Sequence, residues 1–369
     1  MSKSENINLF TPLKIRDCVF QNRIGVPPMI LFNAVDGKPQ DIHLIQYGKY
    51  ALDAYGFIIF ESTAIEPNGR STLKDCGIWS DDFIPDYKRI TDFVHKYGSK
   101  IGIQLNHCGR KASGSVPSIE KRKGFITLSE GGWNVVGASS LKYSEDWNDT
   151  KELSINEIQN YIKLFVECAI RCVKSGFDFI EIHGAHGFLI NQFISPLTNN
   201  RSDEYGGSFN NRIRFLKEVI IEVRKVIPNN MPLFVRLSCE DLCEGGITIS
   251  DTINIVNEIK DLGVDLINCS GGGVVANQTI PSDPLFEVVY AKKVKESTGI
   301  LTAAVGGICS SELANNLIEN KEADVVLIGR AALRGAFYPR HAAADIGTDI
   351  PPYHQNISYA TTPPRYCKY

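Results

Sequence analysis

Two histidines three residues apart, His183 and His186, stand where a short apolar run gives way to Gly184. An imidazole nitrogen can donate or accept according to its protonation, so a neighbouring pair can converge on one oxygen. The chemistry suited to such a pair is the holding of a carbonyl or phenolate oxygen. A metal pair is the competing reading of His-x-x-His. It is disfavoured because Glu181 is the nearest third ligand, and strand alternation turns Glu181 back into the strand layer. A satisfied core histidine is the other alternative for His183. Beyond the pair the chain runs through Gly187-Phe188-Leu189 and a polar segment from Asn199 to Gly207.

The element that must position His183 is the run Phe177 to His183, which is short, aromatic and β-branched and reads as a buried strand. Similar runs occur at Arg23 to Pro27, Gly56 to Ile65, Lys100 to Asn106, Leu233 to Ser238, Val264 to Cys269, Leu301 to Val305 and Asp324 to Ile328. Strands two to eight read as apolar throughout, as strands covered on both faces should. Helix signals lie between them. The clearest starts at the capping box Ser154-Ile155-Asn156-Glu157 and places Ile158, Tyr161, Ile162, Phe165, Val166, Ala169, Ile170 and Val173 on one stripe. Another spans Asn210 to Val226. Eight strands alternating with helices predict an α/β fold, a (β/α)8 TIM barrel in a single domain over residues 1–369. Residues 107–151 form a long insertion after strand 3, read as an active-site cover containing a hairpin. The proline-bearing tail, 348–369, reads as an extended C-terminal arm.

Composition narrows the function. With 43% hydrophobic residues and a net charge of −3, the chain can bury a large core and shows no basic excess, so nucleic acid and anionic membrane surfaces are not expected partners. The polar start and the lack of a long uncharged run predict a cytoplasmic protein. The ten cysteines are scattered without the spacing of a disulfide framework or an iron–sulfur site.

Barrels keep their catalytic groups at the carboxyl ends of the strands. Those ends carry Pro27, Ser62, Gln104, His183, Arg236, Ser270, Gly306-Gly307 and Gly329-Arg330. The last two pairs follow strands seven and eight, where barrels bind phosphate, and Arg330 adds a fixed cation. Gln104 offers both donor and acceptor to an amide-like ring edge, and Arg236 would favour an anionic ring, unless it is locked in an ion pair with Glu181. These features describe a ring cofactor with a phosphate tail, and flavin mononucleotide (FMN) fits. A Gly-x-Gly-x-x-Gly fingerprint for a resident dinucleotide is absent.

The chain resembles the old yellow enzyme family of flavin-dependent ene-reductases, in its shorter, thermophilic-like branch. The resemblance covers nearly the whole length, through Leu9 to Leu13, Asn22 to Ile24, Gly102 to Leu105, Gly109-Arg110-Lys111, Ile182 to Gly187, Arg201 to Gly207 and Ile328 to Arg330. It implies non-covalent FMN, with Pro27, Ser62, Gln104 and Arg236 at the ring and Gly306, Gly307, Gly329 and Arg330 at the phosphate. It also implies NADH or NADPH as reductant and an α,β-unsaturated carbonyl substrate whose oxygen is held by His183 and His186. Lys111 would line the substrate pocket. Arg365 would reach the neighbouring subunit's site in a homodimer or a tetramer of dimers.

The sequence departs from the family at its proton donor, a tyrosine that falls on position 188 and is Phe188 here. A phenyl ring has no proton to give. Two further pocket positions, usually cysteine and tyrosine, match Ile30 and Phe32. Three outcomes follow: ene-reduction with another proton source, for which Tyr143, Tyr359 and Tyr366 are possible substitutes; isomerisation or dehydrogenation of a related enone; or FMN binding without ene-reduction.

Overall fold

The computed structural model describes residues 7–117, 124–335 and 338–349. Eight parallel strands close into one barrel: β1 (Ile24–Val26), β2 (Phe57–Ala64), β3 (Lys100–Asn106), β4 (Phe179–Gly184), β5 (Leu233–Ser238), β6 (Leu266–Ser270), β7 (Leu301–Ala304) and β8 (Val325–Leu327). Each expected strand is present within two residues of its expected start. The ring closes where Val326 of β8 pairs with Ile24 of β1. Side chains that face outward, such as Ile101, Ile103, Ile180, Ile182 and Val235, join the helices in the main core.

The inward faces divide along the barrel axis. At the amino ends of the strands the interior is aromatic. Phe20, carried on a short antiparallel hairpin (Leu13–Ile15 with Cys18–Phe20), enters from below and meets Phe57 at 4.7 Å and Phe179 at 5.7 Å between ring centroids. Phe234 completes this cluster, 4.6 Å from Phe179. Two glycines make room for the rings: a Cβ on Gly25 would lie 2.3 Å from the Phe57 ring, and one on Gly102 would lie 2.2 Å from Phe179. Dispersion and burial stabilise this end, and truncating one such ring typically costs about 3–5 kcal/mol.

Higher in the barrel the same faces turn polar, so the expectation of strands apolar throughout fails on the inward side. Gln104, Glu181, Arg236 and Asn268 all point in and are buried. Alternation explains it: residues i and i+2 share a face, so Phe179, Glu181 and His183 form one inward column.

The helix after Ser154 spans Ile155–Lys174, with the expected capping box closed between Ser154 and Glu157. Ile170, expected on its apolar stripe, is exposed. The expected helix at Asn210 to Val226 is split at Ile213 into Phe209–Arg212 and Arg214–Val226. The insertion holds no hairpin at its paired strands. Val135–Gly137 and Thr150–Glu152 pair in parallel, and residues 138–149 supply the crossover that parallel pairing needs. Among the described residues no helix is long and apolar enough to cross a membrane. The arm from Ile350 onward, with Tyr359, Arg365 and Tyr366, lies outside the described residues.

Candidate active site

The site starts with Glu181. Its two carboxylate oxygens accept from Gln104 Nε2 at 2.8 Å and from Asn268 Nδ2 at 2.9 Å, so neighbouring strands hold it rigidly. Burial pushes its carboxyl up, opposed by the Arg236 charge and by the two amides. Glu181 makes no ion pair with Arg236 among the described residues. The Arg236 Nε is buried without a partner, and Nη2 reaches Ser270 Oγ only at 3.4 Å. Burial draws the guanidinium down from its usual range, against the charges of Glu181 and Glu287. A buried cation with a vacant donor, facing the mouth, is an anchor for a ligand.

Above Arg236 stand the histidines. His183 ends β4, and its Nδ1 accepts the Ala185 amide at 3.3 Å. His186 lies on the turn in the left-handed region (φ 59°), a conformation that costs a non-glycine residue about 1–2 kcal/mol. The surroundings hold it there. Its amide donates to Ser238 Oγ at 2.8 Å, and Lys111 Nζ donates to its carbonyl at 2.8 Å and to that of Gly273 at 2.9 Å. Gly187 and Gly273 let the two backbones touch: a Cβ on Gly187 would lie 2.3 Å from the Gly273 oxygen. The imidazoles face one another, with His183 Nε2 3.4 Å from His186 Nδ1 and the rings perpendicular. Desolvation, followed by Arg236, holds both well below the usual histidine range, so both are neutral near pH 7.

Phe188 caps the short helix Leu189–Ile194 and sets its ring edge-on to His183, with centroids 4.9 Å apart. Lys111 Nζ lies between two rings, 5.2 Å from the centre of Phe188 and 4.7 Å from that of Tyr143. Burial pulls the Lys111 ammonium down to about 8. Burial raises the Tyr143 phenol, only partly offset by Arg110. Phe188 and Trp133 pack against Cys108, Ala112 and Val135, so the insertion walls this side of the mouth.

The loop after β1 brings Pro27, Ile30 and Phe32 to the opposite side. Pro27 is buried, whereas Ile30 and Phe32 are half-buried. Glu61 accepts the Leu31 amide at 3.1 Å and lies beside His43 and Cys76, so a buried polar knot ties this loop to β2 and the helix Asp41–Leu52. Ser62 accepts from Asn106 Nδ2 at 2.8 Å. After β7, Gly306 (φ 105°) and Gly307 (φ 66°) adopt left-handed backbone. The chain itself comes close to them: a Cβ on Gly306 would lie 2.7 Å from a Glu287 carboxylate oxygen, and one on Gly307 2.5 Å from the Pro284 carbonyl. Gly329 is roomier, with Pro27 Cγ at 3.4 Å from its would-be Cβ. Arg330 is exposed at the end of β8, with no hydrogen-bond or ion-pair partner among the described residues.

The structure thus gathers Pro27, Ile30, Phe32, Ser62, Gln104, Lys111, His183, His186, Phe188, Arg236, Gly306, Gly307, Gly329 and Arg330 at the carboxyl ends of the strands. Sequence reasoning passed over Asn268 and Ser238, named Ser270 only as a strand end without a role, and missed Glu287. For the first three the signal was present, since each sits on an inward strand position. Glu287 follows Ser270 by seventeen residues and gave none.

An eight-stranded α/β barrel whose mouth holds a buried guanidinium with an unpartnered Nε, an inward-facing amide and two left-handed glycines after β7 is compatible with a flavin ring and its phosphate. The residues present fit FMN best at the ring end. Residues 8–349 match the NADH:flavin oxidoreductase / NADH oxidase family, and the chain belongs to it. It is therefore an FMN-dependent oxidoreductase of the old yellow enzyme type, using NADH or NADPH. A morphinone reductase variant in complex with tetrahydroNAD is similar at 25% identity and a TM-score of 0.75, over 92% of this chain and 91% of that one. The old yellow enzyme homologue from Zymomonas mobilis is similar at 25% identity and a TM-score of 0.75, over 96% and 97%. A 2-naphthoyl-CoA reductase shares the fold at 21% identity and a TM-score of 0.81, over 92% of this chain and 52% of that one.

Proposed function

We propose that this protein reduces the C=C bond of an α,β-unsaturated carbonyl compound, drawing its proton from a group other than residue 188. Pro27, Ser62, Gln104 and Arg236 would hold the ring of FMN, and Gly306, Gly307, Gly329 and Arg330 its phosphate. FMN held there would supply the hydride chemistry once reduced by NADH or NADPH. The chain's own part is to seat the substrate oxygen at His183 and His186, where a donor N–H stabilises the charge that develops there. Ile30, Phe32 and Phe188 make the pocket wall apolar and exclude water from it.

Phe188 cannot act as general acid, and Lys111 is the better-placed substitute. Its ammonium adjoins the Phe188 ring, and its acidity, pulled to about 8, suits proton donation near neutral pH better than the raised phenol of Tyr143. A homodimer or a tetramer of dimers in which Arg365 would reach the neighbouring subunit's site, in the cytoplasm, completes the proposal.

The observation that carries this reading is the unpartnered Arg236 Nε buried beneath the histidine pair. The test is anaerobic reduction of the bound flavin by each nicotinamide nucleotide, followed by reoxidation with cyclohexenone or maleimide. Bleaching followed by enone-dependent recovery of the yellow colour is expected. A flavin that bleaches but is never reoxidised by any enone would overturn it.

A further inference from the structure

Between β2 and the helix Asp41–Leu52, three chemically different side chains meet where solvent does not reach: His43 on the first turn of the helix, Glu61 on β2 and Cys76 on the segment that follows β2. His43 Nε2 lies 3.3 Å from Cys76 Sγ and 3.7 Å from Glu61 Oε1, and the three atoms all fall within 4.8 Å of one another. Among the described residues no other three His, Cys, Asp or Glu side chains bring their ligand atoms so close. The backbone fixes each of them. The β2–β3 register shifts between Phe60 and Ser62, and a bulge of this kind re-aims the side chain it carries, here Glu61. Glu61 Oε2 then accepts from the Leu31 amide at 3.1 Å and from the Tyr47 hydroxyl at 3.2 Å. The Cys76 carbonyl accepts the Ala64 amide at 2.9 Å, which docks the cysteine on the end of β2. What these contacts leave over is Glu61 Oε1, buried beside the imidazole and without a hydrogen-bond partner. A buried carboxylate oxygen with no donor calls for a ligand.

We propose that His43 Nε2, Glu61 Oε1 and Cys76 Sγ hold a structural zinc ion, with a water as the fourth ligand. The separations suit it: bonds of about 2.0–2.3 Å set tetrahedral ligands about 3.3–3.7 Å apart. The donor set suits it too, since one imidazole, one thiolate and one carboxylate match a borderline cation better than magnesium or calcium, which take oxygen alone. Charge gives a third reason. Binding releases the thiol proton, so the dication meets one thiolate, one carboxylate and a neutral imidazole, and the buried site sums to zero. His43 must present a bare Nε2, and its other nitrogen allows this. Nδ1 lies 2.9 Å from the Gln40 amide and 3.3 Å from the Gln40 carbonyl, so the ring proton can move to Nδ1 and be donated to that carbonyl, as metal-bound histidines commonly do. The Gln40 amide loses its acceptor in the exchange, a loss small beside the free energy of a structural zinc site. Through Oε2 the same carboxylate holds Leu31, so the ion braces the loop that carries Ile30 and Phe32. It takes no part in the flavin chemistry, and the proposal stands apart from the enone reading.

The test uses the full-length, FMN-loaded protein, produced in zinc-supplemented medium because a site this closed takes its ion as the chain folds, and then dialysed against EDTA. Zinc is counted by plasma mass spectrometry, and X-ray absorption at the zinc edge reads the atoms bound to it. The native protein is expected to keep about one zinc ion per chain, with a single sulfur among nitrogen and oxygen ligands. Cys76→Ala should lower the zinc content at least about tenfold, whereas Cys309→Ser, at an exposed cysteine, should leave it unchanged. Native protein holding less than about a tenth of an ion per chain, a zinc shell without sulfur, or undiminished zinc in a folded Cys76→Ala protein would each overturn the proposal. The two native readings decide it even where the variant does not fold. Both can be taken on flavin-free protein as well, so a failure of FMN binding would count against the enone reading and not against the zinc site.

Discussion

The two ends of the barrel interior are built by the same strands and the same alternation, yet they do opposite work. At the amino ends Phe57, Phe179 and Phe234 close around Phe20 in an apolar cluster. Two residues further along, Phe179 gives way to Glu181, Phe234 to Arg236 and Leu266 to Asn268, while β2 stays apolar at Ile59; beyond these come His183, Ser238 and Ser270. The lower end is satisfied internally and gains stability from contact. The upper end keeps polar atoms without partners, at Arg236 Nε, Asn106 Oδ1 and Asn268 Oδ1. Stability and ligand affinity are thus separated here by depth along a strand rather than by element.

Four experiments put that division at risk. Phe179→Ala should cost about 3–5 kcal/mol in urea unfolding while leaving FMN affinity of the folded fraction near that of the native protein. Weakened FMN binding at full stability would erase the division. Phe188→Tyr should restore a general acid at the upper end and raise cyclohexenone reduction by about a hundredfold, followed as NAD(P)H consumption. A rate that does not move would place the proton source elsewhere for good. Arg236→Met removes a charged donor and should weaken FMN binding by about tenfold to a hundredfold, read by fluorescence titration of the apoprotein.

The mildest effect is a pH dependence. Lys111 holds its proton below about 8 and has lost it above. Its folded value is lowered, so the acid is fully present at neutral pH, and the rate should fall about tenfold per unit as pH rises beyond 8. Lys111→Met should remove that inflection. An unaltered profile would exclude Lys111 as the donor.

The barrel was legible in the sequence because its outward strand faces are largely apolar and each strand is bounded by turn residues. Gln104, His183 and Arg236 were legible for a related reason: packing alone seldom puts a chemistry-bearing side chain at the carboxyl end of a barrel strand. Phe188 was legible as a departure only through the family resemblance, which expects a tyrosine at that position. The parallel pairing of Val135–Gly137 with Thr150–Glu152 was not, since short polar segments carry no mark of strand direction. Nor was the place of Glu287, which reaches Ser270 through a loop whose path depends on tertiary packing. The open choice between a free Arg236 and an Arg236–Glu181 ion pair resolves without the pair among the described residues, the carboxylate turning one oxygen to each of the amides of Gln104 and Asn268.

The close approach of Gly187 to Gly273 has a consequence for the nascent chain. The histidine turn leaves the ribosome long before residue 273 is made, and until then nothing on that side braces His186 in its left-handed backbone. A competent oxygen-binding pair therefore arises late in synthesis, and any fragment that stops short of β6 should emerge colourless.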